Sequence, residues 1–155
     1  MNLSDHHIEL HLSDYIGNIS TKVQNDRTYI LDPIRKKYLV LQPEELVRQS
    51  CILWLIDQGF SRNRLQVEKL IKINGLTRRF DIVVYDKEVR PYILVECKAP
   101  DVRIDQSTFD QIASYQMALN APYLMVSNGI SNYLAQMNHE VQQYRFFNEI
   151  PSWEK

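Results

Sequence analysis

The chain has 155 residues, 45% of them hydrophobic and 24% charged, with a formal net charge of −1. This composition is typical of one globular domain and excludes a uniformly basic surface, so any contact with phosphates must use a local patch. Cys51 and Cys97 lie in apolar runs and are interpreted as small buried hydrophobic residues, so no disulfide framework is implied. The sequence has no signal peptide and no apolar run of transmembrane length, so we expect a cytoplasmic protein without membrane contact.

Residues 1–34 carry few signals, and we interpret them as an N-terminal arm. Residues 28–31 predict one short strand, and the pair Asp32-Pro33 that follows is typical of a turn. A basic cluster at residues 35–37 precedes a second apolar run at residues 38–41.

A helix is predicted over residues 43–58. Its first position is proline and two glutamates follow, which is typical of a helix start, and Gly59 ends it. Glu45 and Arg48 lie on one face of this helix together with buried apolar positions. We therefore expect Glu45 to project from the buried side, although a first-turn glutamate often only complements the helix dipole.

Three consecutive antiparallel strands are predicted at residues 65–73, 78–85 and 91–98. The first strand alternates, with its odd-numbered residues from Leu65 to Ile73 expected on one face, and Asn74-Gly75 is a strong hairpin signal. The other two strands are apolar on both faces, which is typical of central strands covered on both sides.

A run of basic residues surrounds the first of these strands, with Glu68 as its single acid. Such a run is either a solvated edge strand protected by charge or a surface that contacts a phosphate backbone. The candidate phosphate contacts are Arg62, Arg64, Lys72, Arg78 and Arg79.

Charged residues interrupt the two apolar strands at Asp81 and Glu96, and Lys98 follows two residues after Glu96. Strand alternation places Glu96 and Lys98 on one face and Cys97 on the other. Buried carboxylates are unfavourable unless they are paired or bind a cation. The pattern indicates a divalent metal site, and the alternative is a structural ion pair at a strand end.

A helix is predicted from about residue 108 to residue 120, followed by a short strand at 123–127 that returns beside the strand at 91–98. Residues 131–155 are interpreted as one or two edge strands or a packing arm. We therefore predict an α/β (α+β) fold with a mixed central sheet of about four to six strands, three of them an antiparallel meander, and helices on both faces. A single domain is expected over residues 1–155, with its core at residues 35–130.

The spacing from Asp81 to the Glu96-Cys-Lys98 tripeptide resembles the signature of the PD-(D/E)XK nuclease superfamily, with its restriction-endonuclease-like fold. The flanking segments resemble, more specifically, the N-terminal nuclease domain of type I restriction enzyme R subunits. These segments are residues 43–49, 67–69, 79–84 and 94–100, followed by the Gln-x-x-x-Tyr pattern of Gln111 and Tyr115. Two features depart from the pattern: no helicase-type motor with a G-x-x-x-x-G-K-[ST] loop follows in the sequence, and Phe80 replaces the proline of the superfamily name.

This resemblance implies a Mg²⁺-dependent endodeoxyribonuclease, with Mn²⁺ as a substitute ion, linked to restriction or defence. Asp81, Glu96 and the backbone carbonyl of Cys97 would bind the metal, and Lys98 would activate water and stabilise developing charge. Glu45 is the candidate for an additional carboxylate ligand.

The same resemblance implies that Gln111 and Tyr115 orient Lys98 or contact the DNA backbone, whereas hydrogen bonding between helix and sheet is the structural alternative. The expected partners are DNA and other subunits of a defence system. A dimer is one of the oligomeric states that the sequence leaves open. The alternative function is a non-catalytic module that uses the same fold to bind DNA or a protein.

Overall fold

The computed structural model describes residues 3–153 of the chain. Helix α1 spans Pro43–Asp57 and helix α2 spans Gln106–Gln116, and short 3-10 helices lie at Leu3–His6, Leu12–Asn18 and Arg62–Arg64. A three-stranded sheet consists of β1 (Thr21–Gln24), β2 (Arg27–Asp32) and β3 (Lys37–Val40). A six-stranded sheet consists of β4 (Leu65–Ile73), β5 (Leu76–Tyr85), β6 (Pro91–Cys97), β7 (Tyr123–Ser127), β8 (Asn132–Asn138) and β9 (Gln143–Phe146).

The strands of the larger sheet follow chain order from β4 to β9. All neighbours are antiparallel except β6 and β7, which are parallel and are joined by the crossover through α2. The Asn74-Gly75 turn joins β4 to β5 with positive φ angles of 50° and 79° at the two residues, which is typical of a tight hairpin. The predicted mixed sheet and its three-stranded antiparallel meander are therefore confirmed.

The two faces of this sheet are covered by different helices, as the apolar composition of the central strands requires. The first core cluster contains Val47 and Trp54 of α1 and the side chains of one face of the sheet: Ile82, Val84, Ile93 and Val95. The second core cluster contains Phe109 and Ala113 of α2 and the side chains of the opposite face: Val83, Leu94, Leu124 and Val126. Helices on both faces are thus confirmed.

The alternation of β4 is interrupted at Glu68, so the prediction of one continuous apolar face on this strand is wrong. Val67 packs against the first core cluster, whereas Ile71 packs against the second. Glu68 has a φ of 51°, in the left-handed region that few non-glycine residues adopt. At this residue the strand exchanges its two faces, so odd-numbered side chains before and after Glu68 point to opposite sides of the sheet. On the neighbouring strand β5, Phe80 lies in the second core cluster, whereas the adjacent Asp81 contacts α1 on the opposite side.

Three further elements differ from the sequence-based expectations. Strand β1 has no buried residue and therefore no apolar periodicity that would reveal it. Helix α2 ends at Gln116, four residues before the predicted end. Strand β8 lies between β7 and β9, so only β9 of the C-terminal segment is an edge strand.

Cys51 and Cys97 are free thiols, and their burial agrees with the interpretation of both as small hydrophobic residues. No helix within residues 3–153 combines the length and the apolar character that crossing a membrane requires.

Candidate functional site

Asp81 and Glu96 are brought together by the antiparallel pairing of β5 with β6. Ile82 is paired with Val95, so the next positions in the same register are Asp81 and Glu96. Asp81 is 8% exposed, and its Oδ2 accepts a hydrogen bond of 2.9 Å from the backbone N–H of Cys97. The Asp81 carboxylate is therefore fixed against β6.

Glu96 is held between a carboxylate and an ammonium group. Its Oε1 lies 3.6 Å from the Nζ of Lys98, and its carboxyl group is within hydrogen-bonding reach of Asp81. Burial and the charge of Asp81 raise the pKa of Glu96 to about 8, and Lys98 offsets only part of this effect. In the absence of a cation, the Asp81–Glu96 pair therefore retains one proton near neutral pH.

Arg48 of α1 lies between Asp81 and Glu45. It is 4% exposed, and its Nη2 donates a hydrogen bond of 3.0 Å to Asp81 Oδ1 while its Nη1 donates to Glu45 Oε2. Burial lowers the pKa of Arg48, but the charges of Asp81 and Glu45 raise it above its usual value, so the guanidinium stays charged. Glu45 also accepts a hydrogen bond of 2.9 Å from Gln49 Nε2.

A second arginine extends this network towards the smaller sheet. Arg35 donates hydrogen bonds to Asp32 at 2.6 Å, to Glu45 at 2.9 Å and to Glu68 at 2.9 Å. Asp32 is fully buried; burial alone would raise its pKa, but the hydrogen bonds from Arg35 and from the Ile34 N–H lower it. The left-handed conformation of Glu68 directs its side chain towards Arg35.

Sequence reasoning missed the roles of Arg35, Arg48 and Glu68. The i, i+3 spacing of Glu45 and Arg48 was the available signal, because such residues are neighbours on a helix. Arg35 and Glu68 meet across 33 positions in sequence, and no local pattern marks that contact.

Gln111 and Tyr115 of α2 lie on the other side of the carboxylate pair. A cavity of about 260 Å³ there is lined by Glu96, Gln111, Ile112, Tyr115 and Gln116. Tyr115 is 38% exposed, and the guanidinium carbon of Arg78 lies 4.1 Å from the centroid of its ring. In residues 3–153 no hydrogen bond joins Gln111 or Tyr115 to Lys98, so their predicted orienting role stays a prediction.

The predicted basic residues form two groups rather than one continuous stripe. Arg62 and Arg64 belong to the 3-10 helix before β4, whereas Lys72, Arg78 and Arg79 lie close to the β4–β5 hairpin. Between them runs β4, whose nine residues span about 30 Å at the rise of an extended strand.

Arg78 and Arg79 are directed to opposite faces of β5. Arg78 contacts Tyr115 on the side of α2, whereas Arg79 lines a cavity of about 340 Å³ beside Arg48 and Glu68. Both arginines therefore flank the carboxylate pair, one on each side.

Within the described part of the chain, residues 3–153, no three His, Cys, Asp or Glu side chains are arranged to hold a metal ion. Glu45 does not join the pair, because Arg48 separates it from Asp81. Asp81 and Glu96 by themselves fit a hard divalent cation such as Mg²⁺: they are oxygen donors within hydrogen-bonding reach of each other, and a bound cation would offset the burial and the mutual repulsion that raise the pKa of Glu96. The backbone carbonyl of Cys97 as a further ligand stays a prediction.

Comparison with known proteins places the chain in a family. Residues 43–151 match the family described as type I restriction enzyme R protein N terminus (HSDR_N). No curated protein matches the chain. A solved fragment assigned to an HsdR subunit of a type I restriction enzyme from Vibrio vulnificus YJ016 is similar to 63% of this chain, at 14% identity and a TM-score of 0.44. This chain spans 21% of that fragment. The family match covers most of the chain, including α1, the meander, α2 and the carboxylate pair, and the chain belongs to the family of type I restriction enzyme R protein N termini.

Proposed function

We propose that this domain is a metal-dependent DNA endonuclease of a restriction or defence system. The observation that supports the proposal most strongly is the contact between Asp81 and Glu96, with the ammonium group of Lys98 beside them. Two carboxylates forced together in a partly buried place are unfavourable in a purely structural role, and a bound cation removes the conflict. DNA and other subunits of a restriction system are the partners that this function requires.

Asp81 and Glu96 would hold Mg²⁺, or Mn²⁺ in its place, together with the backbone carbonyl of Cys97. The bound cation would act as a Lewis acid that neutralises charge on the phosphate during hydrolysis. The hydrogen bond from the Cys97 N–H fixes the orientation of Asp81 before any ion binds, so little reorganisation is needed.

Lys98 acts in this proposal on the attacking water and on the developing phosphate charge. A water oxygen forms a bond to phosphorus and loses a proton to solvent, one P–O ester bond breaks, and the leaving oxygen takes up a proton from solvent. Lys98 is two thirds buried and held 3.6 Å from Glu96, so its ammonium group is restricted to the neighbourhood of the metal ligands. Its contribution is made mainly in the transition state and therefore affects cleavage more than DNA binding.

DNA would approach across the exposed rim on both sides of the pair. Tyr115 and Arg78 offer a ring stacked with a guanidinium on one side, and Arg79 offers a cation on the other. Gln111 lies on the exposed side of α2, where it can contact a phosphate. Lys72 and the Arg62–Arg64 group would extend the phosphate contacts along β4.

One observation favours a non-catalytic DNA-binding or protein-binding module as the second candidate function. Both oxygens of Asp81 already accept hydrogen bonds, one from Arg48 and the other from the Cys97 N–H. A carboxylate that is satisfied by protein donors has a weaker need for a metal ion.

Cleavage of supercoiled plasmid DNA distinguishes the two functions. The wild-type domain should nick or linearise plasmid in MgCl₂ or MnCl₂ and not in EDTA, and Asp81→Asn should be inactive. Lys98→Ala should abolish cleavage but leave DNA affinity nearly unchanged, because it removes one cation among several. Lys87→Ala, which removes an exposed lysine from the β5–β6 turn, is the matched control and should cut normally. Cleavage by Lys98→Ala at the wild-type rate would contradict the role of Lys98, and absence of cleavage by the wild type with intact DNA binding would favour the non-catalytic module.

A further inference from the structure

Glu45 lies in the position where a third carboxylate would be sought, but its oxygens are already engaged. Oε1 accepts hydrogen bonds of 2.9 Å from both Arg35 Nη2 and Gln49 Nε2, and Oε2 accepts from Arg48 Nη1. Glu45 is only 9% exposed, and all three of its bonded partners are protein side chains. Glu45 therefore binds the guanidinium groups of Arg35 and Arg48.

Arg48 is the cation that Glu45 presents to the carboxylate pair. Its guanidinium bridges Glu45 and Asp81, and a further contact of 3.4 Å to Glu68 Oε1 holds it from the side of β4. Arginine does not lose its proton in proteins, so this positive charge is permanent. Moving the guanidinium away would remove the cation that Glu45 and Asp81 share in a buried place, which is unfavourable.

We propose that the site takes one divalent cation and that Arg48, positioned by Glu45, supplies the second positive charge beside Asp81. This inference rests on the proposed function, because it assumes that Asp81 is a metal ligand. It assigns Glu45 a positioning role through Arg48 in place of direct metal binding. It also explains why the described residues include no cluster of three acidic, histidine or cysteine ligands: a guanidinium stands where a third ligand would be needed.

Two geometrical points support a single ion. A second divalent cation beside Asp81 would have to approach a guanidinium that is 3.0 Å from Asp81 Oδ1, and like charges in a site of low dielectric repel strongly. Glu68, the carboxylate that contacts Arg48 from the side of β4, is itself bonded to Arg35 at 2.9 Å, so it is also engaged by a cation.

The stoichiometry of Mn²⁺ binding tests the inference without relying on activity. Isothermal titration or electron paramagnetic resonance with MnCl₂ on the full chain should show one ion for the wild type, one for Glu45→Gln and none for Asp81→Asn. Glu88→Gln is the control: its side chain is 65% exposed and pairs with Arg90 rather than Arg48, and this variant too should bind one ion. Arg48→Gln, which removes the charge but keeps a donor, should bind two ions, because Glu45 and Asp81 then face each other without a cation between them.

The outcomes separate this inference from the proposed function. Two ions on the wild type and one on Glu45→Gln would make Glu45 a metal ligand and overturn the inference alone. A folded Arg48→Gln protein that still binds one ion would show that Arg48 does not exclude the second. No binding by the wild type, or equal binding by Asp81→Asn, would overturn the metal site itself and the proposed function with it. If Arg48→Gln does not fold, the wild-type and Glu45→Gln titrations still decide whether Glu45 binds metal.

Discussion

Replacing Glu96 with glutamine should remove a pH-dependent loss of stability from the metal-free protein. In the folded state the carboxyl group of Glu96 keeps its proton up to about pH 8, whereas in the unfolded chain it releases the proton near its ordinary pKa of 4.5. The folded state therefore binds more protons than the unfolded state between these two values. Stability linked to this group is complete below about pH 4.5 and decreases as the pH rises towards about 8.

The size of the effect follows from the pKa difference. Each unit corresponds to about 1.4 kcal/mol, so between about pH 5 and about pH 8 the free energy of unfolding should fall by about 3–4 kcal/mol on account of Glu96. Glutamine has the shape of the protonated acid and no charge, so the Glu96→Gln variant should lack this decrease. The variant should consequently be more stable than the wild type at about pH 8 and similar to it at about pH 5.

Urea denaturation in EDTA at several pH values measures the free energy of unfolding of both proteins. The difference between variant and wild type at each pH isolates the effect of Glu96, because the other groups titrate equally in both. Glu88→Gln is the matched control, because this glutamate is 65% exposed in a surface pair with Arg90 and should follow the wild-type profile. Addition of MgCl₂ should restore the stability of the wild type at about pH 8 and have little effect on Glu96→Gln. Parallel profiles for wild type and Glu96→Gln would refute the inference that Asp81 and Glu96 are forced together.

Three further outcomes are expected. Arg48→Met should lower the free energy of unfolding in EDTA by about 3–5 kcal/mol, because buried Asp81 and Glu45 lose their shared cation; a loss below about 1 kcal/mol in urea denaturation would contradict the bridge. Mg²⁺ should raise the melting temperature of the wild type by mass action but not that of Asp81→Ala, and an equal rise in both proteins would place the metal elsewhere. DNA affinity should decrease with salt, and Arg79→Ala should reduce the log–log slope by about 0.9; an unchanged slope in fluorescence anisotropy would make Arg79 a solvated edge charge.

The parts of this fold that could be predicted from the sequence are those specified by local patterns. The meander follows from apolar runs and the Asn74-Gly75 turn, and α1 follows from its proline start and Gly59 stop. The contact of Asp81 with Glu96 also follows locally, because the register of two hairpin-linked strands determines which residues are opposite.

The parts that could not be predicted depend on tertiary contacts. Arg48 lies between two acids because α1 packs at a particular distance from the sheet. The spacing of residues along a helix gives no information about that distance. The left-handed conformation of Glu68 is uncommon for glutamate, and no neighbouring glycine or asparagine in the sequence indicates it. An exposed strand such as β1 carries no apolar pattern, because it buries nothing that would impose one.

The exchange of faces in strand β4 at Glu68 has a consequence for how the domain folds. The same hairpin contributes Val67 to the layer under α1 and Ile71 and Phe80 to the layer under α2, so neither layer is complete until the hairpin has its native twist. The two layers should therefore gain protection against amide hydrogen exchange together, as one cooperative unit. A change that straightens the strand at Glu68 should loosen both helices at once, although each helix packs on a different side of the sheet.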